Sequence, residues 1–174
     1  MSSEGSRGRL APIAHEEFRR ACGRFATGVT VATVLDNHGR PHGLTVNSFT
    51  SVSLDPPLVL ICLGQRVTVI DAFRGAEFFG INVLASDQRE VSDRFARKGL
   101  DRFANISWRR GKTGAPLIAG VLATLECSVR QRIPCGDHDI FVGEVLHSHV
   151  TDAQPLLFYH SGYRTLQSGQ QESK

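Results

Sequence analysis

Period-two alternation dominates the second half of the chain. Across residues 121–129, Val121, Ala123, Leu125, Cys127 and Val129 fall on one side, and Leu122, Thr124, Glu126 and Ser128 on the other. That is the pattern of a strand with two unlike faces. Residues 140–150 predict a second long strand, and 156–159 a short last one. Earlier, residues 29–35 are short and β-branched, Asp36-Asn37-His38-Gly39 supplies hairpin-turn chemistry, and 41–46 read as the return strand. Residues 58–63 form a continuous apolar run, which predicts a strand buried on both faces; 77–84 predict another. Helical spacing is confined to three short stretches. These are 16–25 (Phe18, Ala21, Cys22 and Phe25 on one face), 68–73, and a helix from an N-cap at Ser86 to about Ala96 with Val91 and Phe95 inward. Residues 100–118 show no period, with room for one helical turn at 101–104. The sum is a mainly β chain: an antiparallel barrel, closed or nearly so, with a few peripheral helices.

Residues 43–57 interrupt this patterning. Thr45, Asn47, Ser48, Thr50, Ser51 and Ser53 place six uncharged hydrogen-bonding side chains in nine residues, ahead of the hard turn Asp55-Pro56-Pro57. A solvated loop favours Lys, Glu or Gly, and a core strand favours Val, Ile or Leu. This composition suits a flat, polar-edged ligand held by backbone and hydroxyl contacts. Composition then narrows the field. The 174 residues, 41% hydrophobic and 21% charged, suit one domain spanning 15–166, with polar tails at 1–14 and 167–174 expected to be loose. A net charge of +3 spread along the chain gives no basic stripe, so no nucleic-acid partner is expected. No apolar run approaches the ~20 residues that span a bilayer, so no membrane partner is expected either. Cys22, Cys62, Cys127 and Cys135 form no CxxC pair and read as reduced, mostly buried residues of a cytoplasmic protein.

Several constellations carry chemistry. Gly136-Asp137-His138 lies between two strand-like segments. It reads either as an ordinary hairpin turn or as a rim loop that presents an imidazole to a ligand, with Asp137 fixing the loop. His147 and His149, spaced i, i+2, share a strand face, as some metal sites begin. Glu144 is expected on the opposite face, so a third ligand is missing and no metal is assigned. Gly64-Gln65-Arg66-Val67-Thr68 follows a strand and opens a helix, a non-specific phosphate site. Asp87, Glu90 and Asp93 with Arg89 and Arg94 read as a solvated helix face, from which Arg94 can reach a phosphate or carbonyl. Neither GxGxxG nor GxxxxGK[ST] occurs, and no nucleophile elbow is visible.

Ala26-Thr27-Gly28-Val29-Thr30-Val31, the run Thr45 to Ser53 with Leu54-Asp55-Pro56-Pro57-Leu58-Val59, Phe79-Gly80-Ile81-Asn82-Val83-Leu84, and Gly136-Asp137-His138 follow in a specific order and spacing. Together they resemble the flavin-reductase-like family, small NAD(P)H:flavin oxidoreductases that serve two-component flavin-dependent monooxygenases. The resemblance covers residues 18–166. It implies a Greek-key split barrel, a homodimer with flavin near the subunit interface, FAD or FMN as cofactor, and NADH or NADPH as cosubstrate. The implied partner is a monooxygenase component that receives reduced flavin.

By matching position, Pro41, His42, Gly43, Leu44 and Thr45 with Asn47 and Ser48 would line the isoalloxazine and ribityl chain. Cys62, Leu63 and Gly64 with Thr68 and Val69 would surround the phosphate, and Arg94 and Phe95 would add flavin contacts. Gly136, Asp137 and His138 would form the nicotinamide-side loop, with His138 orienting the ring beside Asp137. Phe158, Tyr159, His160 and Ser161 would also touch the pyridine nucleotide. One departure from the family pattern is that Arg66 precedes Val67-Thr68, where many relatives place Ser or Thr before Arg. Two rivals stand beside this reading: a flavin carrier or sensor on the same barrel without reductase activity, and a metal-binding barrel built on His147 and His149.

Overall fold

The computed structural model describes residues 11–99 and 101–166. Of the expected tails, 1–10 and 167–174 lie outside the described residues, and 11–14 are irregular chain. The described residues form twelve strands and three short helices, a mainly β fold. In chain order these are α1 (His15–Cys22), β1 (Thr27–Gly28), β2 (Thr30–Leu35), β3 (Pro41–Val46), β4 (Thr50–Leu54), β5 (Pro57–Gly64), α2 (Ile70–Gly75), β6 (Phe78–Val83), α3 (Arg89–Ala96), β7 (Trp108–Arg110), β8 (Pro116–Ile118), β9 (Ala123–Cys135), β10 (His138–Val150), β11 (Leu157–Tyr159) and β12 (Gly162–Arg164).

Seven strands form one sheet in the order β3-β2-β6-β9-β10-β5-β4. The edge strands β3 and β4 do not pair with each other, so hydrogen bonding does not close the sheet into a barrel. They are nevertheless joined by residues 47–49 alone. Four backbone steps reach at most roughly 14 Å, whereas seven strands laid flat would hold their edges roughly 29 Å apart. The short link therefore forces the sheet to curl until its two edges are neighbours. Inside the curl lies a core of Ala32, Val34, Ile61, Phe79, Ile81, Cys127 and Phe141, against which α2 packs Ile70 and Phe73. A second cluster (Val31, Phe95, Phe103, Ile118, Val121, Leu156) covers the outer side of β2 beneath α3.

Burial corrects two expectations. Along β5 only Val59, Ile61 and Leu63 are buried, while Leu58, Leu60 and Cys62 stay half-exposed, so the apolar run is covered on one face. Of the cysteines only Cys127 is buried, and burial pushes its thiol up to about 12; Cys22 and Cys135 are exposed, and all four are free. Ser86 does not cap α3, which starts at Arg89 behind Gln88; the Gln88 side chain instead accepts from the Ala85 amide at 3.0 Å. Three-residue strands β7, β8 and β12 appear where no period was legible.

A buried polar seam fixes the β7–β8 hairpin to the sheet. Asn82, fully buried, donates to the Val31 carbonyl at 3.1 Å and to Thr33 Oγ1 at 3.2 Å, while its Oδ1 accepts from the Ile118 amide at 2.7 Å. Thr33 in turn donates to the Pro116 carbonyl at 2.5 Å. Removing this amide leaves the Ile118 N–H buried without its acceptor, which costs about 1–3 kcal/mol for each orphaned group. Asn82→Ala is therefore expected to lower stability by about 2–4 kcal/mol, read as a shift of the urea midpoint with unchanged slope. An unmoved midpoint would show that the seam does not hold the hairpin.

Candidate active site

A concavity of about 650 Å³ opens where the start of β3, the approach to α2 and the segment after α3 converge. Pro41, His42 and Gly43 form one wall, Thr68 and Val69 a second, and Asp101, Arg102, Phe103, Ala104 and Trp108 a third, with Arg40 at the margin. Gly43 has no alternative there: a Cβ would stand 2.9 Å from the Ala32 carbonyl and 3.0 Å from Phe95 Cε1. The third wall is braced from behind by α3. Phe95, fully buried, meets Phe103 edge-to-face at 5.0 Å, and Phe103 meets Trp108 at 5.6 Å. Arg94 donates to the Ala104 carbonyl at 2.9 Å. The contacts inferred for Arg94 and Phe95 thus fall on protein: both residues shape the wall and neither lines the cavity.

The Arg102 guanidinium lines this space, while that of Arg40, at its margin, is held by Asp36, Nε to Oδ2 at 2.9 Å. Arg102 donates to the Gly43 carbonyl at 2.8 Å and to Arg97 at 2.9 Å, which engages two of its five N–H groups. Burial lowers its pKa, the direction set by removing a cation from water. His42 Nε2 lies 3.0 Å from Asp36 Oδ2, and the bonds from His42 and the Arg40 amide hold the Asp36 carboxyl well below the usual carboxylate range. The two amides of the β2–β3 turn, from His38 and Arg40, both reach Asp36 Oδ1 at 2.9 Å.

The Gly136-Asp137-His138 segment is the tip of the hairpin formed by the 13-residue strands β9 and β10, a two-residue turn in which Gly136 adopts φ +62°. His138 Nδ1 and Asp137 Oδ1 lie 2.6 Å apart, and that contact, with the charge of His138 and of Arg66, lowers the Asp137 pKa. The next residue anchors the tip. Asp139, buried, receives Arg74 Nε at 2.8 Å, Arg74 Nη2 at 2.7 Å and Gln65 Nε2 at 2.9 Å. His138 is held against Gly64, where a Cβ would lie 3.7 Å from Nε2. The turn 64–69 therefore borders the imidazole on one side and, through Thr68 and Val69, the cavity on the other.

The remaining inferred residues lie elsewhere. Leu44 and Leu63 are core. Thr45 donates to the Ser92 carbonyl at 2.7 Å, and Ser48 Oγ bonds both the amide and the carbonyl of Cys62 at 3.0 Å. Much of the hydroxyl run is thus engaged with protein, and only Asn47 of its first half is exposed. Phe158, Tyr159, His160 and Ser161 occupy β11 and its turn, where Phe158 pairs with Thr27 and His160 donates to Gly23; none lines the cavity. A bulge at Leu146 places Glu144 on the same side of the β9–β10 ribbon as His147, opposite to expectation, because it shifts the register by one residue. Glu144 is paired with Arg130. Asp101, Arg102, Phe103 and Trp108 carry no sequence signal beyond charge and aromatics in the aperiodic stretch 100–118, and Arg40 none beyond its place after the Asp36–Gly39 turn.

The family model for the flavin reductase like domain matches residues 22–167. The chain belongs to this family. It is 45% identical over 83% of its length to the reductase subunit of stachydrine N-demethylase from Rhizobium meliloti, and 47% identical over 81% to the FMN reductase (NADH) SmoA of Agrobacterium fabrum, covering 80% of the latter. The chain spans 63% of the first of these and about half of two further curated relatives, 47% and 48%. The solved NADH:FAD oxidoreductase of Streptomyces globisporus, in complex with NAD and FAD fragments, superposes with a TM-score of 0.83 at 38% identity, covering 91% of this chain and 98% of that one. The cavity fits a flavin: its volume lies within the 300–1,000 Å³ typical of cofactor sites, and the Arg102 guanidinium suits a phosphate.

Asp139 generates a pH-dependent expectation. Arg74 lowers its folded pKa, so its contribution is complete above the unfolded carboxylate value, near 3.9, and is lost as pH falls through the folded value. Asp139→Asn should melt below wild type at pH 7, and the gap should close below about pH 4. A gap independent of pH would show that charge is not what anchors the tip.

Proposed function

We propose that the chain is an NADH-dependent flavin reductase that supplies reduced FMN or FAD to a separate monooxygenase component. The observation that carries this reading is the cavity, which unites Pro41, His42, Gly43, Thr68 and Val69 with Arg102 in a chain of this family. When bound, the flavin supplies the hydride acceptor and the store of two electrons. The protein's part is positioning. Arg102 neutralises a phosphate, and the Gly43 backbone lets a flat ring approach β3. Phe103 and Trp108 exclude water from the third wall, and Asp36 orients the His42 imidazole. His138, steadied by Asp137 and by the Asp139 anchor, orients the nicotinamide.

The fold reading extends the same way. The curl imposed by residues 47–49 supports a split barrel whose seam runs between β3 and β4. A homodimer is supported by apolar side chains left bare on a single chain: Phe18 is 58% exposed, Phe25 77%, Leu54 95% and Val150 69%. Among the described residues no helix is long and apolar enough to cross a membrane. The NADH pool that such an enzyme draws on supports a cytoplasmic location.

Mixing the purified chain with NADH and FMN or FAD should bleach absorbance at 340 nm; no oxidation with either flavin would refute the proposal. His138→Ala should slow flavin reduction by about 100-fold, the scale of a lost orienting group, while the flavin dissociation constant stays within twofold. A variant that reduces flavin at the wild-type rate would remove His138 from the site. Arg102→Met should weaken flavin binding by about tenfold or more, given roughly 1.5–3 kcal/mol for a hydrogen bond to a charged group. Unchanged affinity would place the phosphate elsewhere.

A further inference from the structure

A second cavity, of about 470 Å³, lies beyond Trp108, whose indole is a wall of both spaces. It is bounded by β7 and β8 on one side and by the far ends of β9 and β10 on the other, through Arg109, Ile118, Thr124, His149 and Thr151. The candidate flavin site makes no use of these residues.

Three observations give it chemistry. Thr124 is 6% exposed, lines the cavity, and its hydroxyl makes no hydrogen bond among the described residues. That hydroxyl is thus open to a ligand that enters the cavity. His149 is its register partner across the ribbon, so the imidazole stands on the same face as the hydroxyl. Arg109 brings a guanidinium from β7, and among the described residues its side chain reaches only the Arg110 carbonyl at 3.5 Å. No carboxylate lines the space among the described residues, while Trp108, Leu117, Ile118 and Val121 supply an apolar floor.

We propose that this second cavity is a ligand site for a small aromatic carboxylate. The ring packs on the indole and the aliphatic floor, and the carboxylate meets the Arg109 guanidinium and the Thr124 hydroxyl. A guanidinium fork fits a planar carboxylate with two parallel bonds, and the volume is that of a small-molecule site. An aromatic alcohol of the same shape would leave Arg109 without its partner. The ligand would sit one indole away from the cofactor cavity. The site rests on the geometry around Trp108 and Thr124 and not on the flavin reading.

Trp108 is the only tryptophan in the chain, so its emission reports on this wall alone. Benzoate titrated into the full-length, flavin-free protein should change that emission saturably at millimolar concentration or below, and benzyl alcohol should bind at least tenfold more weakly. Arg109→Gln and His149→Ala, both at exposed positions that do not line the first cavity, should each weaken benzoate at least fivefold. Their FMN titrations should be unchanged. The proposal is overturned if benzoate gives no saturable change, if benzyl alcohol binds as well, or if both variants bind benzoate as wild type does. It is also overturned if FMN displaces benzoate one for one, since that places the acid in the first cavity. Failure of NADH oxidation would leave all of these readings intact.

Discussion

A single buried amide, that of Asn82, ties the outer layer to the sheet. With no exposure to water, it accepts from Ile118 on β8 and donates to Val31 and Thr33 on β2, so one side chain joins three elements. The hairpin it fastens carries Trp108, which in turn packs on Phe103 and through it on Phe95 of α3. Gly80 makes the approach possible, since a Cβ there would stand 2.6 Å from Thr33 Oγ1 and 3.0 Å from the Pro116 carbonyl. Buried polar groups of this kind reward one arrangement and penalise its neighbours, because every alternative leaves a donor or acceptor dry. The wall between the two cavities is pinned by those contacts.

The functional face is assembled from segments far apart in sequence, each with its own support. Gly43 approaches closely because β3 is braced by Phe95; residues 101–104 are held by Arg94; the tip of β9–β10 is held by Asp139 through Arg74 and Gln65. Supports and candidate contacts thus alternate along the chain. In the pairs Arg94–Phe95 and His138–Asp139 the positioning residues stand beside or behind those that would meet a ligand. A change in a support displaces a wall without touching whatever the wall contacts.

Most of the sheet was legible in the sequence because its strands are long enough to show a period. Residues 121–129 and 140–150 alternate over many positions, and the Asp36–Gly39 turn declares itself by its chemistry. Three-residue strands such as β7, β8 and β12 are too short for any period, so the hairpin that carries Trp108 was invisible. The side of His147 relative to Glu144 was misjudged because one bulged residue inverts the parity of everything after it. Phe95 could not be told from a ligand contact, because a helix face pointing at a core and one pointing at a cofactor carry the same apolar spacing. The hydroxyl run was conspicuous for a different reason than composition suggested. Thr45 and Ser48 stitch β3 and the β3–β4 link to α3 and β5, so part of the polarity serves the protein's own backbone.

The strand that follows that link has a cost. β4 is the last strand of its sheet, with Val52 half-exposed and Leu54 almost wholly so, and it carries no charged side chain between Thr50 and Leu54. Strand margins of this sort are usually guarded by lysines, prolines or an overlying segment, because their free amides template further pairing. Here the prolines stand only at its exit, in Asp55-Pro56-Pro57. A chain without a covering segment therefore presents an adhesive ribbon, open to pairing with any strand that meets it.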